Sequence, residues 1–431
     1  MNIHLSHWFR SILLSLVGCL TLVGCASLPS HIQAKPILDL KPTLILISLD
    51  GFRPDYLEKF SAPTLKALAN EGVQAQALES IFPTQTFPNH YSIVTGLYPD
   101  HHGIVGNSMR DPRDPLNEEK EFKLGHDAIC IDPYWWLGEP IWITAQKQGQ
   151  LAGTIFWPGS NVEISGIRPK YWEPYSPTVS KKTRVYKILE WLDLPQKDRP
   201  TFLTLYFQDT DVAGHAEGPD SNAVKLSVSE VDSAIAELVS GLRARQIENQ
   251  VNMIFTSDHG ITQVHEAIRL DSWINSEEAD IVGTGPFVQI FPKGKKGKQV
   301  FEKLRHASSH MKVYRKFNLP KHFRMSKSER TGPIVLVADE HYYIVENSKS
   351  ALPKGGHGYD PKLASMKALF FAHGPAFKKS SVVPEFSSIH LYELMAKILN
   401  LNPAPNDGKP SEILRLLKSS SNGSATPPKP R

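Results

Sequence analysis

Residues 42–50 read PTLILISLD, an unbroken apolar run closed by a carboxylate. Strand-length hydrophobicity without alternation marks a strand covered on both faces, as in parallel sheets clothed by helices on either side. Four more runs repeat the pattern: LAGTIFW (151–157), TFLTLYFQ (201–208), VNMIFTSD (251–258) and KALFFAHG (367–374). Helical patterns separate them, among them APTLKALANEG, TRVYKILEWLDL and LSVSEVDSAIAELVSGLRAR. The alternation predicts an α/β fold, a doubly wound, mostly parallel central sheet flanked by helices, and such sheets bind ligands outside the carboxyl ends of their strands.

Residues from about 265 to 350 break this rhythm. They carry the basic stretches FPKGKKGK and KVYRKFNLPKHFRMSKSER before another apolar run, PIVLVA, and read as a cap subdomain inserted into a catalytic domain spanning 41–400. Few aromatics interleave with the basic residues, so the charge run reads as a solvated face and no specific nucleic-acid sequence recognition is expected. The whole chain of 431 residues carries a formal charge of +4, spread along its length, which demands neither nucleic acid nor an anionic membrane as partner.

The ends read differently from the middle. Residues 1–24 hold Arg10 and then SILLSLVGCLTLVG, too short for a comfortable membrane span and suited to an export signal. Leu22-Val23-Gly24-Cys25 resembles the lipobox of bacterial lipoproteins, which implies a lipid on Cys25 as first residue of the mature chain. Ala26 in the next position, where an aspartate would retain the protein, resembles sorting to the outer membrane. The expectation is an exported protein, lipid-anchored to the periplasmic side of a bacterial membrane; an ordinary cleaved signal with an incidental cysteine is the alternative. Residues 25–40 read as a tether, with Pro29 and Pro36, and 401–431 as a low-complexity tail ending in SSSNGSATPPKPR. With Cys19 in the signal and Cys25 lipidated, Cys130 stands alone, so no intramolecular disulfide is available and an inert thiol is expected.

Chemistry gathers where the strands end. Asp50 closes the first run; Asp211 and His215 follow the third in FQDTDVAGH; Asp258 and His259 close the fourth in TSDHG. His357 comes from KGGHGYD, flanked by Gly355, Gly356 and Gly358. Singly, each has a turn or capping explanation. Together they form a carboxylate and imidazole set without thiolate, which suits zinc, with manganese or iron as weaker fits. Their number favours two ions, and a pair roughly 3.5 to 4 Å apart clamps the attacking and leaving oxygens of an in-line displacement at phosphorus. Residues 83–90, PTQTFPNH, set the Thr86 hydroxyl among turn formers at the mouth of a helix, as a cap or as a nucleophile. Beside two metal ions it reads as the nucleophile.

The segments LISLDGFRPDYL, FPTQTFPNHYSIVTGLYPDHHGIVGNSM, EPIW, FWPGSNVEISG, DTDVAGHAEGP, SDHG and HGYDPKLASMKALFFAHGPAF span about 44–377. In that order they resemble the signatures of the nucleotide pyrophosphatase/phosphodiesterases of the alkaline phosphatase superfamily. The resemblance implies an alkaline phosphatase-like domain with two Zn²⁺, one held by Asp50, Thr86, Asp258 and His259 and the other by Asp211, His215 and His357. It further implies that Asn107 donates to a phosphate oxygen, and that Phe87 and Tyr175 sandwich a nucleobase. Thr210 departs from the pattern, since a proline commonly precedes the aspartate. On their own chemistry Asn107 could cap a turn, and Phe87 and Tyr175 could be core aromatics.

The implied reaction hydrolyses nucleotide pyrophosphate and phosphodiester bonds through a threonyl-phosphoryl intermediate and releases a nucleoside monophosphate. Three rivals remain. A choline-type or lysophospholipid phosphodiesterase of the same family would use Trp135, Trp136 and Trp172 as a cation cage. A phosphate monoesterase would need a cationic clamp that the surroundings of Asn107 lack. A surface lipoprotein that only binds would have little use for a complete ligand set. His90 is expected to pack within the nucleophile helix, and His101 and His102 to serve a turn.

Overall fold

The computed structural model describes residues 34–113, 121–125 and 127–419. The expected signal segment, Cys25 and the last residues of the expected tail lie outside these. The first apolar run forms β1 (Thr43–Leu49), which is followed by α1 (Pro63–Glu71), β2 (Val73–Ala75) and α2 (Thr86–Thr95). Next come β3 (Ala152–Ile155), β4 (Tyr171–Glu173), α3 (Lys181–Leu192), β5 (Phe202–Phe207), α4 (Asp209–Glu217), α5 (Asn222–Ala244) and β6 (Val251–Thr256). A second sheet takes β7 (Ala279–Val282), β8 (Phe287–Pro292), β9 (Met311–Arg315) and β10 (Ile334–Ala338). The chain then returns with β11 (Phe370–His373), β12 (Ser381–Val383) and α6 (Leu391–Ile398).

The central sheet has eight strands in the order β12-β2-β11-β6-β1-β5-β3-β4. All neighbours pair in parallel except those of β11, which runs against both β6 and β2. The unbroken hydrophobicity of β1 has its explanation here. Leu44 and Leu46 enter the core on one face, and Ile45, Ile47 and Leu49 enter the core on the other. Each side chain so buried stabilises the fold by about 1.5–3 kcal/mol, so the sheet cannot slip by a residue without exchanging its two faces. The second sheet is antiparallel throughout, in the order β7-β8-β10-β9, over a separate cluster that includes Val288, Ile290, Ile334 and Leu336.

One boundary differs from the sequence reading. Residues from 401 were expected to be tail, yet Leu401, Ile413 and Leu416 are buried in the main core and Leu417 bridges to Phe377. Apolar residues spaced through a Pro- and Asn-rich stretch are enough to dock it, although its composition reads as low complexity.

Candidate active site

Register places the site. Leu49 of β1 pairs with Phe207 of β5, and Ser48 pairs with Thr256 of β6, so three adjacent parallel strands end at one level. Asp50 follows β1 directly, Asp211 and His215 ride the first and last turns of α4, and Asp258 and His259 lie two and three residues beyond β6. His357 is brought in from the far side of the chain. Gly355–Gly356 pairs with Thr262–Gln263, and a Cβ on Gly355 would lie 2.4 Å from the carbonyl oxygen of Gly214, so only glycine lets this segment lie against α4.

The three histidines are prepared alike. Nδ1 of His215 lies 2.8 Å from the Gly355 carbonyl, that of His357 2.8 Å from the Thr84 carbonyl, and that of His259 3.0 Å from the Gly260 carbonyl. A carbonyl can only accept, so each Nδ1 carries the proton and each Nε2 is left with its lone pair. Those lone pairs face carboxylates. His215 and His357 Nε2 are 3.5 and 3.6 Å from Asp211 Oδ1; His259 Nε2 is 2.8 Å from Asp258 Oδ2 and 3.6 Å from Asp50 Oδ1. The three named oxygens are buried and accept no hydrogen bond.

Burial first, and then the neighbouring Asp258 and Asp211 carboxylates, push the Asp50 carboxyl well above its usual range. Burial pushes Asp258 the same way, but the imidazoles of His259 and His90 outweigh it and hold this carboxyl well below. Burial, reinforced by His259 and His215, drives His357 far down, so it stays neutral and able to ligate. Orphaned carboxylate oxygens facing imidazole lone pairs fit one or more cations and leave few other ways to satisfy the group.

His90 shares the cluster without joining it. Its Nδ1 donates to the Thr86 carbonyl (2.9 Å) and its Nε2 accepts from the Ser48 hydroxyl (2.8 Å), so although Asp258 is 3.4 Å away, no lone pair is free for a metal. Packing within the helix was the expectation. His101 pairs with Asp407, and His102 takes up Ser92 Oγ and the Ile104 N–H, both as turn residues.

Thr86 is the first residue of α2, 3.4 Å by its Oγ1 from His259 Nε2. Gln85 before it is extended and caps nothing with its side chain, while Pro88 fills the first turn, where an N–H would have no partner anyway. Asn107 Oδ1 instead accepts the Phe87 N–H at 2.9 Å, which leaves Nδ2 as the donor end of an amide that lines the smaller of two neighbouring cavities. Sequence reasoning missed two supports. Asn89 accepts from the Ile81 N–H and donates to the Pro83 and Gln85 carbonyls, clamping the turn that presents Thr86. Tyr206 donates its hydroxyl to Asp50 Oδ2 at 2.6 Å. Only its position near the end of β5, one residue from the ligand-bearing loop, could have drawn attention to it.

Two cavities adjoin the cluster. The larger, about 290 Å³, is lined by Asp50, Thr86, Asp211, Phe87, Trp136, Tyr175 and Tyr206 among others. Tyr175 is 52% exposed, too open for a core aromatic, and its edge meets Phe156 at 5.6 Å; Phe87 is half-buried against Phe122 and Trp136. The expected tryptophan cage is not assembled: Arg330 covers Trp135 at 5.0 Å and Arg168 covers Trp172 at 4.9 Å, so of the three only Trp136 lines the cavity, together with Trp157. Cys130 is buried on the same wall, and its thiol donates to the Lys123 carbonyl. Thr210, the departure from the resemblance, is buried in the first turn of α4. The smaller cavity, about 160 Å³, lies against His215 and His357 and is closed by residues of the 265–350 segment. Among the described residues no lysine or arginine lines either one.

A fold of this kind, with an acid and imidazole cluster at the carboxyl edge of its parallel strands, is alkaline phosphatase-like and belongs among hydrolases. Residues 44–360 match the family model described as type I phosphodiesterase / nucleotide pyrophosphatase, and the chain belongs to that family. It is similar to human ectonucleotide pyrophosphatase/phosphodiesterase family member 5, 37% identical over 87% of this chain and 78% of that protein. It is likewise similar to bovine bis(5'-adenosyl)-triphosphatase ENPP4, 41% identical over 85% of this chain and 80% of that one. Among solved structures, murine ectonucleotide pyrophosphatase/phosphodiesterase 5 superposes with a TM-score of 0.83 at 38% identity, covering 87% of this chain and 100% of its own. An inactive form of that murine protein in complex with AMP gives 0.84 at 38% identity, with 88% and 100% covered. The chain is a hydrolase with nucleotide pyrophosphatase/phosphodiesterase activity.

Proposed function

We propose that this protein is a two-zinc enzyme that splits nucleotide pyrophosphate and phosphodiester bonds through a threonyl-phosphoryl intermediate, releasing nucleoside monophosphates. The observation that carries the reading is the set of three orphaned carboxylate oxygens facing three imidazole lone pairs beside the Thr86 hydroxyl. Asp50, Thr86, Asp258 and His259 would hold one ion and Asp211, His215 and His357 the other. When bound, the metal supplies Lewis acidity, lowering the proton affinity of the Thr86 hydroxyl and balancing charge on the phosphoryl oxygens.

Thr86 Oγ1 attacks phosphorus, the bond to the leaving oxygen breaks, and a threonine phosphoester forms. Water then attacks the same phosphorus and releases the monophosphate with Thr86 restored. Two inversions leave the configuration at phosphorus retained. Asn107 Nδ2 donates to a nonbridging oxygen in both steps. Phe87 and Tyr175, which both line the larger cavity, stack the base, an interaction worth about 1–3 kcal/mol.

Two rival chemistries fit less well. Choline-type or lysophospholipid diesters would want the tryptophan cage, whose members are dispersed or covered by the chain's own arginines. A phosphate monoester dianion would want a cationic clamp, and none lines the cavities. We further propose export and lipid attachment at Cys25, supported by LVGCAS and tested by fatty-acid labelling of the wild type against Cys25→Ser.

The deciding experiment compares Tyr175→Ala with wild type on a nucleotide diester and on a small diester lacking a base. The specificity constant should fall about 5- to 150-fold for the nucleotide alone, in proportion to the stacking energy. Equal loss on both substrates makes Tyr175 a scaffold residue and moves the choline or lipid reading ahead.

A further inference from the structure

The smaller cavity has a chemistry of its own. It lies against His215 and His357, shares no lining residue with the cavity that carries Tyr175, and takes Gly283, Thr284, Phe287 and Tyr343 from the 265–350 segment. Its amides have their acceptor ends already engaged. Gln85 Oε1 accepts the Asn107 N–H at 2.9 Å, and Asn107 Oδ1 accepts the Phe87 N–H at 2.9 Å, so both side chains turn their NH₂ groups outward. The Thr284 hydroxyl donates to the Ile344 carbonyl. Among the described residues no carboxylate lines the space.

Tyr343 completes the pattern. Its ring packs over Gly285 and Gly356, and its hydroxyl has no hydrogen-bond partner among the described residues. Burial pushes the phenol up to about 12, so it remains a donor at any pH at which the protein works. The Tyr343 hydroxyl and the Gln85 and Asn107 amide groups offer donors, with no carboxylate among the described lining residues, which suits a ligand rich in acceptors. At about 160 Å³ against about 290 Å³ for its neighbour, the space is too small for a second nucleoside.

Resting on the nucleotide reading above, we propose that this cavity receives the leaving part of the substrate, and that Tyr343 and Gln85 hydrogen-bond its phosphate oxygens. The substrates so favoured carry a phosphoanhydride at the scissile phosphorus, with a second phosphate directly beyond it. The inserted segment thereby gains a role: the strands of the central sheet present the metal ligands and nucleophile, and the insertion reads what leaves. A group that departs as a plain alcohol or a lipid offers the donors too few acceptors and leaves them unpaired, which is costly in a half-enclosed site.

Binding can be read without turnover in a Thr86→Ala background supplied with zinc. Calorimetric titrations with a nucleoside monophosphate and with the corresponding triphosphate are compared in that protein and after adding Tyr343→Phe, which keeps the ring and removes only the hydroxyl. The triphosphate should bind about tenfold more weakly and the monophosphate equally well, as expected for losing one hydrogen bond to a charged oxygen. Unchanged triphosphate binding, or equal weakening of both ligands, overturns the assignment of the cavity while the nucleotide reading stands. Failure of Thr86→Ala to bind either nucleotide overturns both. A parallel turnover measurement with Thr86 intact should show Tyr343→Phe losing specificity constant on a triphosphate and keeping it on a nitrophenyl ester of a nucleoside monophosphate.

Discussion

Two buried acidic regions in this molecule obey opposite rules. Asp111 is almost fully enclosed, yet its oxygens are fully engaged: Arg330 Nε and the Tyr134 hydroxyl donate to one, and the Arg113 N–H and Nε to the other. Arg330 is itself buried and spends its remaining donors on the Gly103, Tyr134 and Trp135 carbonyls. Asp50, Asp211 and Asp258 are gathered just as closely, with no lysine or arginine among them and one oxygen of each orphaned. The first arrangement is complete within the chain and holds it together. The second is incomplete within the chain, which is what fits it to take a cation from outside.

Removing the hydroxyl beside the incomplete cluster should have the largest effect. Thr86→Ala is expected to cut turnover by about four orders of magnitude or more while the melting temperature and the bound metal stay near wild type. Activity within tenfold of wild type would remove Thr86 as nucleophile.

Next in size comes the complete pair. Arg330→Met removes the buried one of the two arginines on Asp111 and strands the Gly103, Tyr134 and Trp135 carbonyls, and should cost about 3 kcal/mol in urea unfolding, with the activity per folded molecule preserved. If the loss is below about 1 kcal/mol, Asp111 is no structural anchor and the contrast between the regions fails.

The smallest effect has the opposite sign. In chelator-treated protein, Asp50→Asn should raise stability by about 1 kcal/mol, since it removes one of three crowded carboxylates. Added zinc should then stabilise the variant far less than the wild type. Proton linkage sharpens this. A carboxyl raised in the folded state binds its proton there while the unfolded chain does not, so between 3.8 and its raised value the metal-free wild type gains stability as pH falls, and the advantage of Asp50→Asn should fade with it. Asp111 is held well below its ordinary range because the Arg113 and Arg330 donors outweigh burial, so its contribution is present above 3.8 and is lost only on further acidification. Thermal melts of metal-free wild type, Asp50→Asn and Arg330→Met from about pH 8 down to about pH 2 check both signs. A destabilised Asp50→Asn would show that the cluster is satisfied without metal.

How much of this was legible depends on where the information sits in the chain. The parallel sheet could be read because β1, β5 and β6 are covered on both faces, and that burial writes itself as continuous hydrophobicity. The reversed strand β11 could not, since KALFFAHG is as apolar as its neighbours and direction leaves no mark on composition. The ligating side chains stood out because Asp and His at strand ends are chemically conspicuous. Their supports were silent. Tyr206 sits within an apolar strand, Asn89 looks like any helical polar residue, and the carbonyls that fix the three imidazoles belong to backbone that sequence does not describe. The packed stretch after residue 400 was misjudged for a related reason, because Leu401 and Leu416 count for little in composition and for much in position.

The order of the ligating residues has a consequence for assembly. Asp50 and Thr86 belong to the first quarter of the chain and His357 to its last, with the whole second sheet between them. A growing chain therefore presents the Thr86 hydroxyl long before the residues that complete its surroundings exist, and contacts this distant form late. The cluster then cannot act as an early template for folding. It closes only in a nearly finished protein, and a chain cut anywhere before His357 has a sheet edge and a threonine but not the assembled group of acids and imidazoles.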